Sequence, residues 1–115
     1  MARNRYYLAV ADLARAHAID PRFAWTGIDP QDLAAALQRS LRTDELFNRW
    51  RAAQDDPEAV DQTIAASDPD ATVSAKVADL HTEVELVTDL PMRVVRHRLN
   101  LLIGANWTLR DMRAA

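Results

Sequence analysis

The sequence predicts an all-α protein, a compact single-domain bundle of about five to seven helices. Four of the five prolines directly follow an aspartate, at Asp20-Pro21, Asp29-Pro30, Asp56-Pro57 and Asp68-Pro69. Because Asp is a good N-cap and Pro fits the first helical turn, each pair predicts a helix start. Only two glycines, Gly27 and Gly104, are present, whereas a β-rich chain needs more of them for its turns. Apolar residues also recur at three- and four-residue spacings, which is typical of amphipathic helices.

The N-terminal half of the chain is expected to form four helical segments, over residues 4–18, 20–25, 30–42 and 44–53. The first segment has one apolar face, made by Tyr6, Val10, Leu13 and His17. Gly27 is expected to close the second segment as a left-handed cap. The leucine stripe of the third segment does not continue in phase beyond Thr43, so a new helix is expected to begin there.

The C-terminal half is expected to contain a short helix over 56–64 and the longest helix over 68–89. The core stripe of the longest helix is formed by Val73, Val77, Leu80, Val84 and Val87. The β-branched content of 82–88 also fits a strand, but the sustained helical period favours the helix. A helix over 91–105 is apolar on most of its circumference, which predicts that it lies at the centre of the bundle. Residues 110–115 are expected to be a frayed tail.

Composition predicts a single domain over residues 1–115 and excludes several function classes. The net charge of −3 disfavours bulk electrostatic binding to nucleic acid. The chain has no cysteine, which excludes disulfides and thiolate sites and fits a cytoplasmic location. Asp12 and Arg15 interrupt the apolar N-terminal segment, so it is interpreted as a helix and not as a signal peptide. No membrane association is expected.

Residues 12–25 resemble a helix-turn-helix, the motif in which a second helix enters the major groove of DNA. In this resemblance Ala14 is the small residue between the helices, and Asp20-Pro21 opens the recognition helix. Arg15 and Arg22 are then the candidate DNA contacts. Gly27 ends the second helix early, however, so ordinary helix packing is the favoured interpretation of this segment.

Partner contacts are the second hypothesis, and the candidate residues are Trp25, Arg93, Arg96, His97, Arg98 and Trp107. Tryptophan and arginine are enriched in binding hot spots. Arg93, Arg96 and His97 form a basic face on the last helix, whereas Arg98 points to the apolar side of the same helix. A buried Arg98 needs a carboxylate, for which Asp12, Glu85 and Asp89 are candidates, or several carbonyls. The favoured interpretation is that Arg98 extends along a neighbouring helix to water.

A metal site is the third hypothesis, because His81 and Glu85 are four residues apart on one predicted helix. Zinc needs three or four ligands and the chain has no His-Glu-x-x-His motif, so we expect neither a metal nor a cofactor. Catalytic signatures are also missing, which predicts that the chain is not an enzyme.

The leading hypothesis is therefore a non-enzymatic protein-interaction module: an adaptor, an assembly chaperone or a regulatory subunit. Its alanine- and arginine-rich composition favours a bacterial or phage origin. The alternatives are a DNA-binding regulator that uses 12–25 and a metal-binding or enzymatic helical protein. Binding to another protein and self-association both remain open at this point.

Overall fold

The computed structural model, which describes residues 3–18 and 20–115, is a two-layer α/β structure, so the predicted all-α bundle is wrong. Four strands form one antiparallel sheet in the order β2-β3-β1-β4. They are β1 (Asn4–Val10), β2 (Thr72–Ala78), β3 (His81–Thr88) and β4 (Thr108–Ala114). The α-helices of the described residues are α1 (Pro30–Arg42), α2 (Glu45–Ala52) and α3 (Met92–Ile103).

Strand β1 replaces the predicted helix over 4–18. Its buried residues Tyr6, Leu8 and Val10 alternate with Arg5 and Tyr7, which are partly exposed. This period of two is the pattern of a strand with one covered face, and aromatic residues favour it. The chain continues into a three-residue 3-10 turn over Leu13–Arg15, and no α-helix forms between residues 12 and 18.

The β2–β3 hairpin replaces the predicted longest helix over 68–89. A tight turn at Asp79 and Leu80 joins the strands, and Asp79 has a φ of 55°, a conformation that Asp tolerates better than most residues. In β3 the residues Thr82, Val84 and Leu86 are buried. Val84 belongs both to the predicted helical stripe and to the buried face of the strand, so this residue does not distinguish the two structures. The pairing of β3 with both β1 and β2 decides in favour of the strand.

Three predicted helices are confirmed. Helix α1 begins with a capping box, in which Asp29 accepts from the Asp32 N–H and the Asp32 carboxylate accepts from the Asp29 N–H. Helix α2 corresponds to the segment expected after Thr43, and α3 to the helix expected over 91–105. Helix α3 packs against α1 and the sheet instead of at the centre of a bundle.

The remaining predictions for local structure are wrong. Residues 20–25 form a turn and irregular backbone, and residues 56–64 contain two 3-10 turns, Pro57–Ala59 and Gln62–Ile64. Residues 110–115, expected as a frayed tail, belong almost entirely to β4. Only Asp29-Pro30 among the four Asp-Pro pairs begins an α-helix. No helix within 3–18 and 20–115 is long and apolar enough to cross a membrane.

The core lies between one face of the sheet and the helices. The sheet contributes buried alternate residues, chiefly Tyr6, Leu8, Val10, Val84 and Leu86. The helices contribute buried apolar residues, chiefly Leu33, Leu37, Leu41, Val94, Val95, Leu99 and Leu102. Each such side chain contributes about 1.5–3 kcal/mol to stability relative to an exposed position. Among the described residues no helix packs on the opposite face of the sheet, which is called the open face below.

Candidate functional site

Arg98, a predicted partner contact, is fully buried and therefore has a structural role. Its guanidinium donates to three backbone carbonyls: Ser40 at 3.2 Å, Ile64 at 3.0 Å and Ala66 at 3.2 Å. No carboxylate pairs with Arg98 among the described residues, so the carbonyl alternative is the one observed, and the favoured extension of Arg98 to water is wrong. Burial lowers the pKa of Arg98 to about 10, which leaves it charged at neutral pH.

His97 lies beside Arg98 and is half-buried, so it is a poor docking residue. Its ring packs edge-on against Trp50, with 4.4 Å between the ring centroids. Burial, and then the charge of Arg98, lower the pKa of His97 to about 4. Its Nε2 atom is buried without a hydrogen-bond partner in the described part of the chain. This cluster ties α3 to α2 and to the 64–66 segment.

The other predicted partner contacts divide into exposed and packed residues. Arg93 and Arg96 are exposed on α3 and remain accessible. Trp25 is buried, and its Nε1 donates to the carbonyl of Ala16 at 2.7 Å. Trp107 is half-buried, and its Nε1 donates to Asn100 Oδ1 at 3.0 Å. The six candidates therefore do not form one surface.

The helix-turn-helix hypothesis for residues 12–25 lacks its two helices. The described residues of this segment contain only the 3-10 turn over Leu13–Arg15 and a turn after Asp20, while Ile19 lies outside the described residues. Arg15 is exposed, and Arg22 pairs with Asp20 at 2.7 Å. No recognition helix is therefore available to carry either arginine into a major groove.

His81 and Glu85, the predicted metal pair, lie on strand β3 and not on a helix. Both point to the open face, with Glu83 between them, because alternate residues of a strand share a face. His81 Nε2 lies 3.6 Å from Glu83 Oε1. Among the described residues no group of three or more His, Cys, Asp or Glu side chains could hold a metal ion.

The open face of the sheet contains a trough with a volume of about 410 Å³. Its lining combines the small residues Ala9 and Ser74 with larger ones, including Tyr7, Lys76, His81, Glu83, Glu85 and Arg110. The charges are partly paired across strands, with Lys76 at 3.9 Å from Glu83 and Arg5 at 3.8 Å from Glu85. Exposed pairs of this kind contribute little to stability, about 0–1 kcal/mol each.

The two edges of the sheet differ in how their backbone groups are satisfied. At the β2 edge, side chains of α1 bind the groups that point away from β3. Gln38 Oε1 accepts from the Val73 N–H at 3.0 Å, and Gln31 Nε2 donates to the Ala75 carbonyl at 3.4 Å. Arg42 Nε donates to the carbonyl of Ala71 at 2.6 Å. Helix α1 therefore covers the β2 edge from residue 71 to residue 75.

The β4 edge has no such cover. Alternate residues of a strand direct their backbone groups to opposite sides. Since the Ala115 N–H donates to the Arg3 carbonyl next to β1, Met112 and Ala114 direct their groups away from β1. Leu8 pairs with Leu109 and Tyr7 with Asp111, so Arg110 is an extra residue in β4 and forms a bulge. Because of this bulge, Leu109 also directs its backbone groups away from β1. Within the described residues the only contact to these outward groups is local, from the Met112 N–H to Asp111 Oδ1 at 2.9 Å.

The side chains of β4 are also uncovered. Every residue from 108 to 114 is exposed, and in the described part of the chain no helix packs closely on this strand. Leu109 and Met112 lie on the helix side of the sheet, next to the buried Leu8 and Tyr6, yet they are 40% and 53% exposed. Such an uncovered edge is where natural proteins pair with another strand.

Sequence reasoning missed β4 because residues 108–114 carry little strand signal of their own. The segment contains Arg, Asp, Met and Ala, and only Thr108 favours strands clearly. Pairing with β1, which was itself predicted as a helix, is what places it in the sheet. No protein-family model, curated protein or solved structure matches this chain.

Proposed function

We propose that this chain is a non-enzymatic protein-interaction module that binds an extended segment of a partner protein at the outer edge of β4. The observation that carries the proposal is the difference between the two sheet edges. Helix α1 binds two outward backbone groups of β2, the Val73 N–H and the Ala75 carbonyl. The outward groups of Leu109, Met112 and Ala114 are exposed, and in the described residues only the Met112 N–H has a contact, to Asp111 of its own strand. An added strand would satisfy these groups, which is the basis of β-strand addition.

The apolar residues of β4 also support this proposal. Leu109 and Met112 extend the helix-side face of the sheet beyond the part that α3 and α1 cover. A partner strand with apolar residues at matching positions would shield them from water, and burial of this kind stabilises a complex. An adaptor, an assembly chaperone or a regulatory subunit would use such a surface.

Proline substitution tests this edge with little effect on the internal ladder. The N–H of Met112 points away from β1, so Met112→Pro removes a docking donor while keeping the hydrogen bonds between β1 and β4. Val77→Pro is the matched control, because Val77 also directs its N–H outward but lies on the β2 edge. Tagged forms of both variants and the wild type would be used to capture proteins from lysate of cells that express the untagged chain.

The expected result is a set of proteins that the wild type and Val77→Pro retain and Met112→Pro loses. Equal capture by all three forms, or no capture by the wild type, would contradict the proposal. Circular dichroism and thermal unfolding of each variant establish that it is folded. Met112→Asp, which places a charge on the uncovered apolar face without removing the N–H, provides a second test and should also lose the captured proteins.

We also propose a cytoplasmic location for this module. The absence of cysteine from all 115 residues supports it, because such a chain needs no oxidising compartment. Cell fractionation with an antibody against the chain would test this, and recovery in a secreted or membrane fraction would contradict it.

A further inference from the structure

We propose that the strand bound at the β4 edge belongs to a second copy of this chain. In this arrangement the two β4 strands pair antiparallel about a two-fold axis that passes between Arg110 and Asp111. Leu109 of each copy then lies opposite Met112 of the other, and the two sheets join into one eight-stranded sheet. This inference rests on the proposed function, because it names the partner of the same edge.

The backbone of β4 favours this register. Leu109 and Met112 both direct their N–H and C=O groups away from β1, as described above. Two residues that face each other across an antiparallel ladder can exchange hydrogen bonds only when both point toward the partner. The axis between Arg110 and Asp111 pairs Leu109 with Met112 twice, so the bulges of the two copies face each other and the flanking residues stay in register.

The charges of β4 are complementary in the same register. Arg110 lines the trough, and Asp111 pairs with Tyr7, so both side chains lie on the open face. Each Arg110 then faces Asp111 of the second copy, whose carboxylate also pairs with Arg113 of its own strand at 2.8 Å. On the other face, Leu109 and Met112 pack against each other and remove apolar surface from water. Across the axis, charged residues therefore lie opposite charged residues and apolar residues lie opposite apolar residues.

Neighbouring registers lack this complementarity. An axis through Asp111 places two aspartates opposite each other and faces Leu109 with Arg113, whose backbone groups point to β1. An axis through Met112 pairs Asp111 with Arg113 but sets the bulge residue Arg110 against Ala114 in the regular part of the strand. Like charges directly opposite each other are unfavourable, and a bulge opposite a regular strand disrupts the ladder.

Charge reversal tests the partner and the register together. Arg110→Glu sets the new glutamate of each copy opposite Asp111, and Asp111→Arg sets the new arginine of each copy opposite Arg110. Sedimentation equilibrium should show that the wild type dimerises and that each variant alone associates at least about tenfold more weakly, because two like-charged pairs form in each case. An equimolar mixture of the two variants should recover dimers, since both pairs then have opposite charges.

The doubly substituted chain Arg110→Glu/Asp111→Arg should dimerise by the same argument. Arg96→Glu, an equal charge change on exposed helix α3, is the control and should leave the dimer unchanged. The axis through Met112 predicts instead that Arg110→Glu dimerises like the wild type, because Arg110 then faces Ala114. That axis also predicts no recovery of Asp111→Arg in the mixture, because its new arginine would face Arg113 of the other variant. Absence of recovery, or a wild type that remains monomeric at all concentrations, would overturn the inference.

The two proposals can fail separately. If the wild type is monomeric and Met112→Pro still loses the lysate partners, the proposed function of the edge stands and self-pairing is rejected. A wild-type dimer that persists in Met112→Pro and in both charge variants would place the dimer interface elsewhere and reject the inference. If Met112→Pro keeps both its lysate partners and its dimer, both proposals are rejected.

Discussion

Nη1 of Arg98 lies 2.9 Å from Nδ1 of His97. Because a guanidinium can only donate hydrogen bonds, Nδ1 of His97 is the acceptor, and the proton of the neutral ring is on Nε2. Protonation of His97 would break this hydrogen bond and set two positive charges side by side in a half-buried cluster. The neutral form of His97 is therefore part of the folded structure.

The free energy of unfolding should depend on pH through His97. Its pKa falls from 6.5 to about 4 on folding, so the unfolded chain takes up the proton first as the pH decreases. The stabilisation is complete above pH 6.5 and is lost as the pH falls toward 4. Linkage predicts a loss of about 2 kcal/mol between pH 7 and pH 5. Urea unfolding at several pH values would measure it.

His97→Gln is the control for this pH dependence. Its side-chain oxygen can accept from Arg98, but it does not titrate, so the change between pH 7 and pH 5 should largely disappear. A wild type whose stability is constant over this interval would contradict the assignment of a neutral, low-pKa His97.

Replacement of Arg98 should destabilise the fold strongly. Arg98→Met fills much of the same volume but leaves the carbonyls of Ser40, Ile64 and Ala66 without their donor. Unsatisfied buried groups cost about 1–3 kcal/mol each, and partial hydration limits the sum, so we expect a loss of about 3 kcal/mol. Thermal or urea unfolding gives the value. Arg96→Met, on the exposed side of the same helix, should change stability by less than about 0.5 kcal/mol.

Asp68 should be a second stabilising polar residue in the interior. Its carboxylate accepts from Thr88 Oγ1 at 2.8 Å and from the Asp70 N–H at 3.0 Å, and it pairs with Arg3 at 3.2 Å. Burial alone raises the pKa of Asp68, but these hydrogen bonds outweigh it and the net pKa is lowered. The stabilisation is therefore present above the ordinary Asp pKa of 3.8 and is lost as the pH falls below it.

Asp68→Asn should lower the free energy of unfolding at pH 7 by about 2 kcal/mol, because it removes the charge and turns one acceptor into a donor. Chemical unfolding at pH 7 measures this change. Asp70→Asn is the matched control, since Asp70 is exposed and should be nearly neutral. Equal stability of the two variants would show that the Asp68 hydrogen bonds contribute nothing.

Gly104, which ends α3, should not tolerate a side chain. Its φ of 65° and ψ of −137° form a combination that other residues rarely adopt, and an added Cβ would lie 3.1 Å from the His17 carbonyl oxygen. We expect Gly104→Ala to cost about 1–3 kcal/mol in thermal unfolding. Ala105→Gly, at the exposed next position, is the comparison and should cost less than about 1 kcal/mol.

The helices were predictable because their signals are local. Asp29 and Asp32 cap α1, the apolar face of α3 is dense, and each signal lies within the helix that it specifies. The hairpin was not predictable in this way. Val73, Val77, Leu80, Val84 and Val87 match a helical period by position, but in the structure Leu80 is 96% exposed at the turn. Pairing with β1, more than seventy residues away in the chain, decides between the two patterns.

The candidate site was less predictable than the helices. The orientation of Arg98 toward the apolar side of α3 was correct, but its acceptors lie 32 to 58 residues away in the chain, where spacing has no predictive value. The β4 edge was missed because an edge is defined by the order of strands in the sheet. Neither the cover of β2 by α1 nor the exposure of β4 has a signature within a single segment.

The side chains of α1 along β2 oppose the pairing of a further chain at that edge. A sheet with two free edges can add chains at both ends and grow into a fibre. Gln31, Gln38 and Arg42 bind along residues 71–75 of the β2 edge, so within the described residues only the short stretch at Val77 is left for another strand. In the dimer proposed above the two β4 edges cover each other, so we expect assembly to stop at two chains. Helix α1 thus opposes the growth of a fibre at the β2 edge.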